Sequence, residues 1–322
     1  MYKVIMAPTE GIDTERHAIS VATHLAQRFD AELRLVQVEN APLVLETLSN
    51  PAGHIATEQA LTEARLARLR KLEALGTECR VLGEIRVITA LEDGAIAPTL
   101  CDYARRFKAD LIVMSSHARG GVSRIALGSV ADHLIRRADV PVLIVKPPVT
   151  FFGGGPGENF NRIVVPLDGS AMSEQILPQV AALASRLNAT VSLLHVLTPL
   201  TYSQKEIMQP GLPWWDTDIA IADEYLTRAA SYLTESGLPV SKDVVLSENI
   251  PSAILDYASR SRADLIAIAS SGAGGIGRFV FGSVADEVTR KSQTSLLVFH
   301  PKKDAAWTKS GERLLAEPYA GV

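Results

Sequence analysis

The chain has 322 residues, of which 47% are apolar and 21% charged, with a formal net charge of −4. That length predicts about two domains of ~100–200 residues each, and the apolar share fits globular folding rather than disorder. A general nucleic-acid binder is disfavoured because phosphate contacts need a concentrated basic surface, and no apolar run approaches the ~20 residues of a membrane span.

The N-terminal run MYKVIMAPTEG starts a strand near Lys3–Ala7 and carries no charged-then-apolar leader, so a cytoplasmic protein is expected. Cys79 and Cys101 lack metal-type spacing and are too few for a disulfide framework, which points to a reducing compartment. Further strands are predicted near Glu32–Val38, Cys79–Thr89, Asp110–Ser115 and Val142–Val145, with helical patterns between them. Cys101 reads as a small buried residue on one of those helices. Residues 148–160 contain GGGPG, which continues neither helix nor interior strand and is read as a linker.

Beyond it the pattern begins again. Strands are expected at Ile163–Pro166, Thr190–Val196, Val240–Leu246, Asp264–Ser270 and Ser295–Phe299. Helices are expected at Ala171–Leu187, about Ile219–Ser236, Pro251–Ser261 and Ser283–Arg290. Trp214 and Trp215 fall in an irregular stretch, where they either pack that loop on its own domain or form an aromatic lid. His195, inside a strand with no cysteine or carboxylate at ligand spacing, reads as a core histidine. Residues 302–322 form a polar tail outside the pattern.

The two halves are copies. Arg106–Pro147 aligns without gaps to Arg260–Pro301, with 17 of 42 positions identical, about 40%. KVIMAPTEG at Lys3–Gly11 matches NRIVVPLDG at Asn161–Gly169, and AELRLVQV matches ATVSLLHV, in the same order. Domain 1 therefore spans 1–147 and domain 2 spans 161–301. The βαβ alternation and the continuously apolar strands DLIVMSS and DLIAIAS imply an α/β fold. It consists of two tandem Rossmann-like domains, each a five-stranded parallel sheet with helices on both faces.

Ligands of such sheets bind at the carboxyl ends of the strands. In the second copy VPLDGS puts Asp168 there, and SSGAGGIGRFVFGSVAD follows the fourth strand. Gly272, Gly274 and Gly275 let a backbone approach a ligand, and Gly282-Ser283 opens a helix whose free amides favour an anion. Glycine-rich loops taken alone are equally well read as turns.

With these motifs the chain resembles the universal stress proteins in their tandem two-domain form. The resemblance covers both copies and rests most specifically on Gly-x2-Gly-x9-Gly-(Ser/Thr) after the fourth strand. It implies a stress-response protein that binds ATP, or AMP or ADP, with the phosphates on that loop and magnesium or manganese as a possible companion ion. It also implies that the aspartate after the first strand lies near the ribose and the end of the second strand near the adenine. In the second copy the implied set is Pro166, Asp168, Val196, Ala269, Gly272, Gly282, Ser283 and Val284, with Ala269 replacing the first glycine. In the first copy it is Glu10, Val38, Ser115, Ala118, Gly128 and Ser129. There Glu10 replaces the aspartate, reaching the ribose or crowding it, and Ser115 and Ala118 replace two glycines. His117 and Arg119 either touch a phosphate or face solvent. Arg124 and Arg278 either neutralise phosphate charge or form surface salt bridges.

The resemblance further implies pairing of the domains through their fifth strands, with Val142–Val145 antiparallel to Leu296–Phe299, and a homodimer of tandem chains is the further association it allows. No general base, activated nucleophile or metal cluster is evident in the sequence. A regulatory nucleotide binder leads, with a slow ATPase and a ligand-free scaffold as the alternatives.

Overall fold

The computed structural model describes residues 2–10, 15–39, 51–116, 127–146, 160–199, 214–270 and 281–301, with the side chains of 51–61 and 214–217 excepted. It divides into two compact units, one built on described residues before 147 and one on those from 160 onward.

The first unit runs β1 (Val4–Pro8), α1 (Arg16–Phe29), β2 (Glu32–Glu39), α2 (Pro51–Gly83), β3 (Val87–Asp93), α3 (Ile96–Arg106), β4 (Leu111–Ser115), α4 (Ser129–Arg137) and β5 (Val142–Val145). Its strands lie in the order β3-β2-β1-β4-β5, all parallel. The second unit runs β6 (Arg162–Pro166), α5 (Ala171–Glu174), α6 (Leu177–Leu187), β7 (Thr190–Leu197), α7 (Trp214–Thr234), β8 (Val240–Leu246), α8 (Ile250–Arg260), β9 (Leu265–Ala269), α9 (Ser283–Lys291) and β10 (Ser295–Phe299). Its order, β8-β7-β6-β9-β10, is the same, and again parallel.

Right-handed crossovers sort the helices of each unit onto two faces, because the strand order reverses direction after the third strand. In the first unit α1 packs with α2 and α3 with α4. Strands sandwiched this way are apolar on both sides: Leu111, Ile112 and Val113 are fully buried, as are Leu265, Ile266 and Ala267. The outer strand β8 instead alternates, with Ser241 and Asp243 turned toward solvent and their neighbours half-buried.

The duplication extends to the pins that hold the central strands. Asp110 Oδ2 accepts the main-chain N–H groups of Lys3 and Val4 at 2.7 and 2.9 Å. Asp264 Oδ2 does the same for Asn161 and Arg162 at 2.9 and 3.0 Å. The helices before β2 and β7 both end on a left-handed residue, Asp30 and Asn188, two of the few side chains that visit that region readily.

Three expectations are corrected. Cys79–Gly83 belongs to α2, and β3 begins only at Val87. Leu72, Gly76, Cys79 and Gly83 are buried at spacings of four, three and four, a helical period that the apolar run CRVLGEIRVIT concealed. The helix expected over Ala171–Leu187 is broken at Gln175-Ile176 into α5 and α6. Trp214 and Trp215 open α7 rather than sitting in a loop. Cys101 is buried on α3 as expected.

Candidate nucleotide site

In each unit the central strand has neighbours reached by crossovers in opposite directions, which is where an open α/β sheet forms its ligand crevice. Pairing between β6 and β9 is confined to Ile163–Leu265 and Val164–Ile266, and between β1 and β4 to Ile5–Leu111 and Met6–Ile112. Both pairings stop short of the carboxyl ends, and the chain leaves those ends on either side of a gap.

In the second unit the chain past Pro166 is tied to β7 by Leu167 N–H donating to Leu194 O at 2.9 Å. It then turns at Gly169, whose φ of +81° falls where a side chain would be strained. Asp168 is exposed at this turn, and its Oδ1 accepts from the Ser170 N–H at 3.0 Å and the Ser170 hydroxyl at 2.6 Å. Ser170 Oγ also caps α5 by accepting from Ser173 N–H at 3.1 Å. The carboxylate is thus held in place by the same residue that starts the helix.

At the other side of the gap Ser270 N–H donates to Phe299 O at 2.8 Å, and Ser270 O accepts from Gly282 N–H at 2.6 Å. This fixes the start of α9 beside the end of β9. Gly282 is the N-cap of this nine-residue helix and has no side chain with which to cap it; the first-turn N–H groups of a helix are the donors an anion can engage. Ser283 is exposed, Val284 is half-buried and Ala269 is buried. Val196 lies near the end of β7, half-buried. Gly272, Gly274, Gly275 and Arg278 lie outside the described residues.

Behind Asp168 lies a set of groups that the sequence reading did not single out. Glu174, Tyr225 and His195 are all buried, and the His195 and Tyr225 rings meet edge to face at 5.7 Å. Burial, reinforced by the negative charge of Asp168, pushes the Glu174 carboxyl up to about 7, against the opposing influence of the Tyr225 hydroxyl and Arg228. Burial holds the Tyr225 hydroxyl well above its usual range and holds the His195 imidazole below its own, although Leu167 O and Asp168 favour the charged imidazole. His195 is therefore a core histidine, as read, but one in electrostatic contact with the crevice. The missed signal was Ser170-x-x-Ser173-Glu174 after Asp168-Gly169: the capping serine starts the helical turn that carries the buried Glu174.

In the first unit Glu10, Val38, Ser115 and Gly128 line one crevice of about 70 Å³ together with Thr9, Glu15 and Gln37. Gly128 N–H donates to Ser116 O at 3.0 Å, repeating the Gly282–Ser270 tie. Ser129 opens α4 and is exposed; Ala118, His117, Arg119 and Arg124 lie outside the described residues. The turn after β1 is held differently from its counterpart. The buried carboxylate of Glu15 accepts from the Thr9 hydroxyl at 2.8 Å and from Glu10 N–H at 2.7 Å. The Gln37 amide donates to Glu10 O at 3.5 Å. Gln37 stands where the second unit has His195, and Arg16 where it has Glu174.

Fold and crevice define a tandem α/β protein of the class that binds ligands at a topological switch point. The model of the universal stress protein family matches residues 1–146 and again residues 159–300, so the chain belongs to that family. It is similar to a universal stress protein of Mycobacterium tuberculosis, 27% identical over 304 residues that cover 89% of this chain and 94% of the relative. It is also similar to one from Methanocaldococcus jannaschii, 33% identical over 148 residues, 46% of this chain and 84% of the relative. Among solved structures, a universal stress protein from Archaeoglobus fulgidus superposes with a TM-score of 0.63 at 19% identity, covering 92% of this chain and 98% of that one. At that identity the likeness speaks for the fold alone.

Proposed function

We propose that the second unit binds an adenine nucleotide, with ATP the leading candidate, and that the protein acts as a regulatory module in a stress response. The observation that carries this reading is the pairing, across one crevice, of a carboxylate fixed by Ser170 with a glycine-opened helix start tied to the end of β9. A ribose suits the first and phosphates the second, because hydroxyls donate to a carboxylate while open amides and the helix dipole accept negative charge. Pro166, Asp168, Val196, Ala269, Gly272, Gly282, Ser283 and Val284 form the proposed contact set, and a magnesium or manganese ion would act between the phosphates. The first crevice, through Glu10, Val38, Ser115, Ala118, Gly128 and Ser129, is proposed as a weaker site for the same ligand class.

Calorimetric titration of the intact protein with ATP tests this, alongside a folded Gly282→Asp, Ser283→Ala variant. Binding that disappears in the variant supports the reading, and unchanged binding moves the site elsewhere. No binding, with or without magnesium, favours a ligand-free scaffold, a reading that the side chains at Ser115, Ala118 and Ala269 support on steric grounds.

We also propose that the protein resides in the cytoplasm and that its two units pair through β5 and β10, with a dimer of tandem chains as the further step. Among the described residues no helix is long and apolar enough to cross a membrane.

A further inference from the structure

In the first crevice the main chain of Glu10 is held from both sides. Its N–H donates to Glu15 Oε2 at 2.7 Å, and its carbonyl accepts from the Gln37 amide at 3.5 Å. The same Glu15 oxygen accepts from the Thr9 hydroxyl at 2.8 Å, and Thr9 N–H donates to Val36 O at 2.9 Å. All five residues line the crevice. Glu15 is the N-cap of α1, a place where a carboxylate normally accepts from the first turn of its own helix. It makes no such bond. Buried at 8% exposure, its side chain is turned back onto the loop after β1.

The second unit carries the same tie in a weaker form. Ser173 stands in place of Glu15, and its Oγ accepts from Asp168 N–H at 3.4 Å. Leu167 stands in place of Thr9 and has no hydroxyl to donate. A neutral oxygen at that distance is a marginal acceptor, whereas a carboxylate oxygen at 2.7 Å makes a charge-assisted bond, roughly twice as strong as a neutral one. Asp168 is instead fixed through its own carboxylate, by Ser170. The two units therefore hold the residue at the proposed ribose position by different means, the second by its side chain and the first by its main chain.

We infer that Glu15 is a positioning residue of the first crevice, one that makes Glu10 selective for a ligand with ribose hydroxyls. A carboxylate has two oxygens and can accept two adjacent hydroxyls at once. Glu10 is one methylene longer than Asp168, so its side chain has more freedom to lose when a ligand is seated. Fixing its main chain beforehand removes part of that loss.

This inference rests on the reading of the first crevice as an adenine-nucleotide site, and its test separates the two. The full chain carrying Gly282→Asp and Ser283→Ala, which disable the second crevice, is titrated calorimetrically with ATP and with an ATP analogue that lacks both ribose hydroxyls. The expected result is a preference for ATP of about ten-fold or more, the range for hydrogen bonds to a charged group. Adding Glu15→Ala should cut that preference about two- to ten-fold, the cost of ordering one side chain on binding. Glu15→Gln, which keeps an oxygen able to accept from Thr9 and Glu10, should retain most of it. A general loss of stability weakens both ligands alike and leaves their ratio unmoved. Equal ratios in the parent and in Glu15→Ala overturn the inference and leave nucleotide binding standing. A ratio near one in the parent does the same, since Glu10 then does not meet the ribose. If Glu15→Ala fails to fold, Glu15→Ser, which installs the residue of the second unit, carries the same comparison. Absence of binding to the parent overturns both readings.

Discussion

Asp264 accepts the main-chain N–H of Arg162 at 3.0 Å across 102 residues of sequence, joining the loop before β9 to the start of β6. Asp110 and Val4 stand in the same relation at 2.9 Å. Each aspartate satisfies two backbone donors that the sheet leaves over at the foot of its central strand, and charge-assisted bonds of this kind contribute more than neutral ones. Replacing Asp264 by Ala should destabilise the second unit by about 1–3 kcal/mol, with a similar loss in the first unit for Asp110→Ala. Urea unfolding monitored by a probe in each unit checks this; two variants that each melt like the wild type would contradict it.

Gly76 illustrates how closely α2 lies on β3. A Cβ built there would stand 2.6 Å from Thr89 Cγ2, in the path of a methyl group that cannot retreat into the sheet. Gly76→Ala should therefore cost about 1–3 kcal/mol despite the better helix propensity of alanine. Adding Thr89→Ser removes the obstructing methyl and should restore much of the loss. The comparison is a double-mutant cycle on thermal unfolding, and a stabilised Gly76→Ala single variant is the contrary outcome.

The buried acid of the second unit should be visible in stability. Glu174 sits near 7 in the folded protein and near 4.5 in a solvated chain. A carboxyl raised in this way contributes stability below the lower value and loses it as pH climbs through the upper one. The wild-type protein should thus lose about 1–3 kcal/mol relative to Glu174→Gln between pH 4.5 and 8. Chemical denaturation of both proteins across that range is the measurement. Parallel curves would mean that Glu174 is solvated and unperturbed.

The proposed pairing of β5 with β10 makes a prediction for hydrogen exchange. An unpaired last strand leaves every second N–H pointing outward, whereas a strand flanked on both sides protects all of them. Val142–Val145 and Ser295–Phe299 should both exchange slowly throughout. Fast exchange at alternate positions would leave the two units without this link.

The sequence by itself determined the duplication and the α/β class with its parallel sheets. Those features are written in local pattern: ungapped repeats, continuously apolar strands and glycines after the fourth strand. Right-handed crossovers narrow the topologies to a few, and the order within each unit is decided by the packed structure. Asp168, Gly282 and Ser283 were legible because each sits at the end of an element whose type the pattern reveals. Where patterns overlapped the reading failed, as at Cys79–Gly83, whose apolar run suits strand and helix alike until the burial of Leu72 and Gly76 shows the helical period.

Only the tertiary structure decided what lies beneath the crevice. Glu15 holds the turn of the first unit through Thr9 and the backbone of Glu10, while serines do so in the second. Glu174, His195 and Tyr225 come from three separate elements, and nothing in their spacing foretells that they meet. Their charge states depend on distance and on exclusion of water, quantities that arise only when the sheet and its helices pack.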